Sequence, residues 1–183
     1  DYVYVLNCES FEWERIPMPQ DQVAGTNIPE VRDSHGCVVL GSNMIIYGGS
    51  TSDKTFDDIW SFSFNSKLWT RIIPEKNSEI PCKREGHSCC VISDRYIYIY
   101  GGWDGDNLLD DSYLFDTKNK SWQKVIKAPG DDPGERDSQT CSLVKDSMYL
   151  FGGQGNAKKK MDTYFNDIYR MKLSINPNKV VSY

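Results

Sequence analysis

Histidine is scarce in this sequence. His35 and His87 are the two in 183 residues, too few for the clustered histidine ligands of a copper centre. Paired cysteine spacing is missing as well: none of Cys8, Cys37, Cys82, Cys89, Cys90 and Cys141 forms a CxxC unit. A chain of this length buries a sufficient core without staples, so the even cysteine count does not imply a disulfide framework, and a reducing compartment is expected. Positive charge is short, with 21 Lys and Arg against 26 Asp and Glu, a net charge of −5 and a pI near 5.1. No overall field would draw in a polyanion, which argues against nucleic acid as a partner. No apolar run approaches the roughly 18 residues of a membrane span, and neither a signal-like start nor an initiator Met is present. The expectation is a soluble chain cut from a longer one, cytoplasmic with the nucleus as the alternative. No segment carries a helical period.

What the sequence does have is self-similarity. "RDSHGCVVL" at Arg32, "REGHSCCVI" at Arg84 and "RDSQTCSLV" at Arg136 begin 84 − 32 = 52 and 136 − 84 = 52 residues apart. Each leads to an apolar, aromatic-rich run that ends in a glycine pair: Gly48 and Gly49, Gly101 and Gly102, Gly152 and Gly153. Each pair is followed by an acidic residue, Asp58, Asp111 or Asp167, that opens an alternating run. Trp69 and Trp122 then start a last short strand, and Trp13 starts the matching tail of an earlier unit. The third unit has "NPNKVVSY" in that place, with no tryptophan. Each unit reads as four short strands separated by Gly, Asn and Asp turns. Such a sheet cannot bury its faces alone, so successive sheets must stack around an axis. The prediction is an all-β chain, a β-propeller of four-stranded antiparallel blades forming a partial ring of about three and a half. Residues 1–20 would supply the last two strands of a preceding blade, and 32–75, 84–128 and 136–183 one blade each, the last with a degenerate final strand.

These motifs resemble the kelch repeat, whose mark is a double glycine after a strand, a later acidic or amide residue, and a tryptophan or tyrosine further on. The resemblance covers nearly the whole chain. It implies a propeller that binds a partner protein as a scaffold or adaptor. A metal-dependent enzyme on such a propeller, or a regulatory propeller joined to a catalytic domain such as a phosphatase, are the alternatives.

The repeat changes how single residues are read. "REGHSCC" places His87 and Cys89 on one strand face, but its histidine aligns with Gln139 in the third unit, and two ligands do not make a tetrahedral zinc site. Core packing is the better reading, and neither catalytic residue, metal nor cofactor is expected. The glycine pairs are followed by a strand and not a helix, which removes the phosphate-loop reading. The repeat arginines Arg32, Arg84 and Arg136 could brace the repeat aspartates bidentately, or serve a ligand from the rim. Trp13, Trp69 and Trp122 are expected between blades. Trp103, directly after a glycine pair, is a candidate interface anchor. The loop from Gly153 to Asp167 runs 167 − 153 = 14 positions against 58 − 49 = 9 in the first unit, and carries Lys158, Lys159 and Lys160 as a solvated tip. Strand alternation brings Arg32, Arg84, Arg136, Trp103, Asp104, Asp106 and Lys158 to Lys160 to one rim, the expected partner face. The open ends of a partial ring would also allow self-association through exposed blade faces.

Overall fold

The computed structural model describes residues 3–17, 27–157, 160–176 and 179–182. A two-stranded ribbon opens the chain, β1 (Val3–Leu6) against β2 (Trp13–Ile16). The first full sheet is β3 (Gly36–Leu40), β4 (Asn43–Tyr47), β5 (Ile59–Ser63) and β6 (Trp69–Ile72), paired antiparallel in chain order. The second repeats it with β7 (Ser88–Ile92), β8 (Tyr96–Tyr100), β9 (Ser112–Asp116) and β10 (Ser121–Lys124), and the short β11 (Ile126–Lys127) follows in a different sheet. The third is preceded by β12 (Arg136–Asp137) and holds β13 (Thr140–Val144) and β14 (Ser147–Phe151). A hairpin of β15 (Gln154–Ala157) and β16 (Lys160–Tyr164) follows, and β17 (Ile168–Met171) then pairs with β14. The chain closes in β18 (Leu173–Asn176) and β19 (Lys179–Ser182).

These are propeller blades in an arc. The innermost strands β3, β7 and β13 neighbour one another, and among the described residues the arc does not close into a ring. The middle blade is sandwiched, which explains why β8 and β9 are buried along nearly their whole length. Ile97, Ile99 and Phe115 pack with Val38, Ile45, Tyr47 and Ile59 of the first blade. Tyr98, Tyr100 and Leu114 point the other way, to Met148 and Leu150 of the third. Alternation on one strand thus serves two interfaces.

The glycine pairs sit where blades meet. Gly49 N–H donates to the Arg84 carbonyl and Gly102 N–H to the Arg136 carbonyl, both at 2.9 Å. A Cβ on Gly101 would lie 2.5 Å from the Arg136 oxygen, and φ there is 65°. Only glycine meets both demands.

Two expectations change. The long third loop is mostly a β-hairpin, with β15 and β16 joined by β12 into a small sheet. Lys158 and Lys159 lie outside the described residues, and Lys160 begins β16. The tail expected to finish the third blade also goes elsewhere: β18 pairs with β19, which runs parallel to β11 on the second blade.

Candidate functional site: an acidic rim across three blades

Each repeat arginine is locked at the entrance of its inner strand. Arg32 donates from Nη1 to the Gly48 carbonyl at 2.9 Å and holds Asp58 with both terminal nitrogens, at 2.5 and 3.2 Å. Arg84 reaches the Gly101 carbonyl at 3.0 Å and Asp111 at 2.8 Å. Arg136 reaches the Gly152 carbonyl at 2.8 Å and Asp167 at 2.8 and 3.2 Å. An aromatic ring faces each guanidinium: Phe56 at 4.0 Å under Arg32, Tyr113 at 5.4 Å under Arg84, and Phe165 at 4.2 Å under Arg136. The arginines thus brace glycine pair to aspartate within each blade. Burial of Asp58 opposes its charge, but the hydrogen bonds from Arg32 and the Trp60 indole hold its carboxyl below the usual range.

The structure therefore corrects the arginine-centred rim. Arg84 and Arg136 are 0% and 1% exposed and the Arg32 side chain 3%, so none is presented to a partner. The residue after each arginine lies nearer the surface: Asp33 is exposed, and Glu85 and Asp137, at the equivalent positions of the next two units, are half-buried. Asp33 bridges Ser50, Glu85 bridges Trp103, and Asp137 pairs with Gln154, so each is held beside the loop that follows its glycine pair. The rim is stitched across blades by main-chain bonds, Gly86 N–H to the Ser34 carbonyl at 2.9 Å and Ser138 N–H to the Gly86 carbonyl at 2.7 Å. The Ser50 hydroxyl adds a donation to the Glu85 carboxylate of the next blade. Ser34, Gly86 and Ser138 all adopt positive φ, near 51°, 60° and 57°, which turns the chain toward the axis there.

Asp137 is the strained member. Its Oδ1 is buried with no hydrogen-bond partner. Burial, reinforced by the nearby Glu85 charge, raises its pKa despite hydrogen bonds from Ser138 and Gln154. Trp103 is half-buried, its backbone bonded in both directions to Glu85 at 2.9 Å. Asp104 turns inward to its own loop, accepting from the N–H groups of Asp106 at 2.8 Å and Asn107 at 2.7 Å. Asp106 is exposed beside it. The acidic positions stand in the sequence as "RD", "RE" and "RD", one step after each repeat arginine.

His87 lies in the blade seam, 6% exposed, with neither ring nitrogen hydrogen-bonded. Burial drives its pKa down to about 3, helped by the Arg84 charge, which leaves a neutral ring that cannot shuttle protons at physiological pH. Burial pushes the Cys89 thiol up to about 12, an inert state. The cysteine column is not uniformly core: Cys37 is exposed and Cys89 and Cys141 half-buried, while Cys90 is buried, and all six cysteines are free. Among the described residues, no three His, Cys, Asp or Glu side chains converge as a metal site.

The tryptophans divide. Trp122 is 3% exposed and stacks between Tyr47, at 5.0 Å, and Phe115, at 4.9 Å. Trp69 is half-buried against Phe62. Trp13, expected between blades, is 67% exposed, and among the described residues no blade packs over that side of its ribbon.

Blades of four antiparallel strands stacked about an axis and tied by glycine pairs define a repeat propeller. The chain belongs to the kelch-repeat family: it matches the KLHDC2/KLHL20/DRC7 Kelch-repeats domain over residues 1–153 and 66–181. It is similar to human Kelch domain-containing protein 1, 29% identical over 70% of this chain and 33% of that protein. It is similar to human Kelch domain-containing protein 3, 27% identical over 78% of this chain and 39% of that protein. A Drosophila melanogaster leucine-zipper-like transcriptional regulator 1 homolog is 30% identical over 69% of this chain and 13% of its own length. The chain thus spans about a third of the first relatives it matches. Kelch domains typically bind proteins.

Proposed function

We infer that this chain is a non-catalytic protein-binding module, a scaffold or adaptor whose partner lays a basic segment on the rim. The observation that carries this reading is the continuity of that rim. Asp33, Glu85 and Asp137 occupy equivalent positions, the residues that follow them are joined across blades by main-chain bonds, and Trp103 pairs with Glu85. A rigid row of like charge, one member with an unsatisfied buried oxygen, gains most from a cationic partner. The half-buried indole beside it suits an anchoring contact or the stem of an arginine. Buried His87 and the high thiol pKa of Cys89 support a role without chemistry. Six unpaired thiols support a reducing compartment, the cytoplasm or nucleus.

The test is selection from a displayed library of random peptides. Selected peptides should be rich in Lys and Arg. Their affinity should fall at least about tenfold in Glu85→Gln, consistent with loss of a desolvated charge contact, and fall in Trp103→Ala. It should be unchanged in Lys118→Ala, in an exposed turn at the other end of the strands. Acidic binders, or binders indifferent to the rim variants, would overturn the reading.

A further inference from the structure

One thiol in this chain departs from the repeat. Cys37, Cys89 and Cys141 hold equivalent places in the three units, but the counterparts of Cys90 are Val38 and Ser142. Consecutive side chains of a strand leave on opposite faces. Cys89 therefore packs toward the first blade, in a cluster with Val38 and Ile45, whereas Cys90 packs toward the third, with Met148 and Leu150. Cys141 of β13 faces back across that second seam and joins the same cluster as Cys90. The strands that carry these two thiols, β7 and β13, are neighbours. One seam earlier, the cluster that receives Cys89 has Val38 where this one has Cys90. The pairing of thiols is thus a feature of the seam between the second and third blades and not of the repeat.

The two sulfurs are unlike. Cys90 is 8% exposed, with its Sγ 3.1 Å from the Met148 Sδ, and its thiol donates a hydrogen bond to the Cys141 sulfur. Accepting that bond lowers the Cys141 pKa against the opposing effect of burial, and a hydrogen bond from Ser88 works in the same direction. Donating it, together with burial, raises the Cys90 pKa. Ser88 is 5% exposed and is fixed in turn by the Gln139 amide, which donates to its hydroxyl at 3.3 Å. A half-buried sulfur with thiolate character therefore touches a buried thiol, the arrangement of an oxidisable cysteine beside its resolving partner. We propose that Cys90 and Cys141 are a peroxide-sensitive pair whose disulfide ties the second blade to the third. The Cys141 sulfur attacks the O–O bond of hydrogen peroxide: an S–O bond forms, the O–O bond breaks and hydroxide leaves, so that the sulfur is oxidised to a sulfenic acid and the peroxide is reduced. The Cys90 sulfur then displaces the sulfenic oxygen, which departs with the Cys90 proton as water, and an S–S bond of about 2.05 Å forms. Two thiols and one peroxide give one disulfide and two waters.

Limited hydrogen peroxide on the purified chain, followed by alkylation of the remaining thiols and non-reducing peptide mapping, tests the pair. Trypsin cuts after Arg84, Arg95, Arg136 and Lys145, so peptide 85–95, with Cys89 and Cys90, should be joined to peptide 137–145, with Cys141. Dithiothreitol should separate them. Cys89→Ser should keep the link and Cys90→Val should abolish it. The second substitution brings in the side chain that the first unit holds at Val38, which this position of the repeat already accepts, and Cys141 should then be captured by dimedone as its sulfenic acid. The mapping of the unsubstituted chain depends on neither variant. A link that survives Cys90→Val overturns the proposal, as does peroxide that consumes exposed Cys8 and Cys37 while Cys141 remains fully alkylatable. A wild-type Cys141 that reacts with dimedone yet forms no link to Cys90 overturns the pairing as well.

Discussion

At Asp58 two carboxylate oxygens accept from both terminal nitrogens of Arg32 and from the Trp60 indole at 2.7 Å. Removing the charge leaves a guanidinium 3% exposed without its counter-ion. Asp58→Asn should therefore cost about 3–5 kcal/mol in urea unfolding, whereas Glu30→Gln, at the exposed Lys54–Glu30 pair, should cost under about 1 kcal/mol. The pH dependence follows from the lowered pKa of Asp58. Its stabilisation is complete above the unfolded carboxylate pKa and is lost as pH falls through the lower folded value. Acid titration of stability should be shallower in Asp58→Asn than in the wild type. The glycines give a second contrast. Gly41 has φ 57° but open space around it, while Gly101 has φ 65° and the Arg136 carbonyl in the way. Gly41→Ala should cost about 1–2 kcal/mol, and Gly101→Ala clearly more by thermal unfolding.

Strand β10 contributes through one residue above all. Trp122→Ala would empty the seam between the first two blades and should cost about 3–5 kcal/mol. The same substitution at Trp13 of β2 should leave stability nearly unchanged, since that indole is 67% exposed. Equilibrium unfolding of both variants checks the pair. The blade strands were legible in the sequence because each fills a fixed place in a 52-residue period, and a period is physics repeated: glycine where backbones meet, alternation where two faces are buried. Departures from the period were not legible. Nothing in "QGNAKKKMDTY" alternates in the apolar sense, so β15 and β16 read as a loop. The arginines were legible as partners of the aspartates but not as buried, because an exposed and a buried guanidinium are spelled alike. Trp13 followed the repeat in sequence, yet its exposure depends on a neighbour that the repeat cannot report.

For the molecule as a whole, charge is sorted by depth in a way that the net charge of −5 does not show. Cations are consumed inside, as Arg32, Arg84 and Arg136 face Asp58, Asp111 and Asp167, and the carboxylates of exposed Asp33 and half-buried Glu85 and Asp137 lie beside them with no ion pair of their own among the described residues. Binding of a basic peptide should weaken with salt, since exposed charges are screened over about 8–10 Å at physiological ionic strength. It should also weaken as pH drops. Asp137 has a raised pKa in the free protein and a bound cation favours its ionised form, so affinity falls as that carboxyl takes up its proton. Isothermal titration from pH 7 to about pH 4, where carboxylates protonate, would show the loss together with net proton release on binding. Asp137→Asn should flatten both trends.

Four of the bonds that tie one blade to the next are main-chain to main-chain: Gly49 to Arg84, Gly102 to Arg136, Gly86 to Ser34 and Ser138 to Gly86. Such joints have no memory of which amino acid supplies them, apart from the few positions that need a left-handed turn. A gene of this kind can drift widely, copy a unit or lose one, and still encode sheets that dock. The rim loops are then free to vary in sequence, and relatives can match this chain at under a third of identical residues.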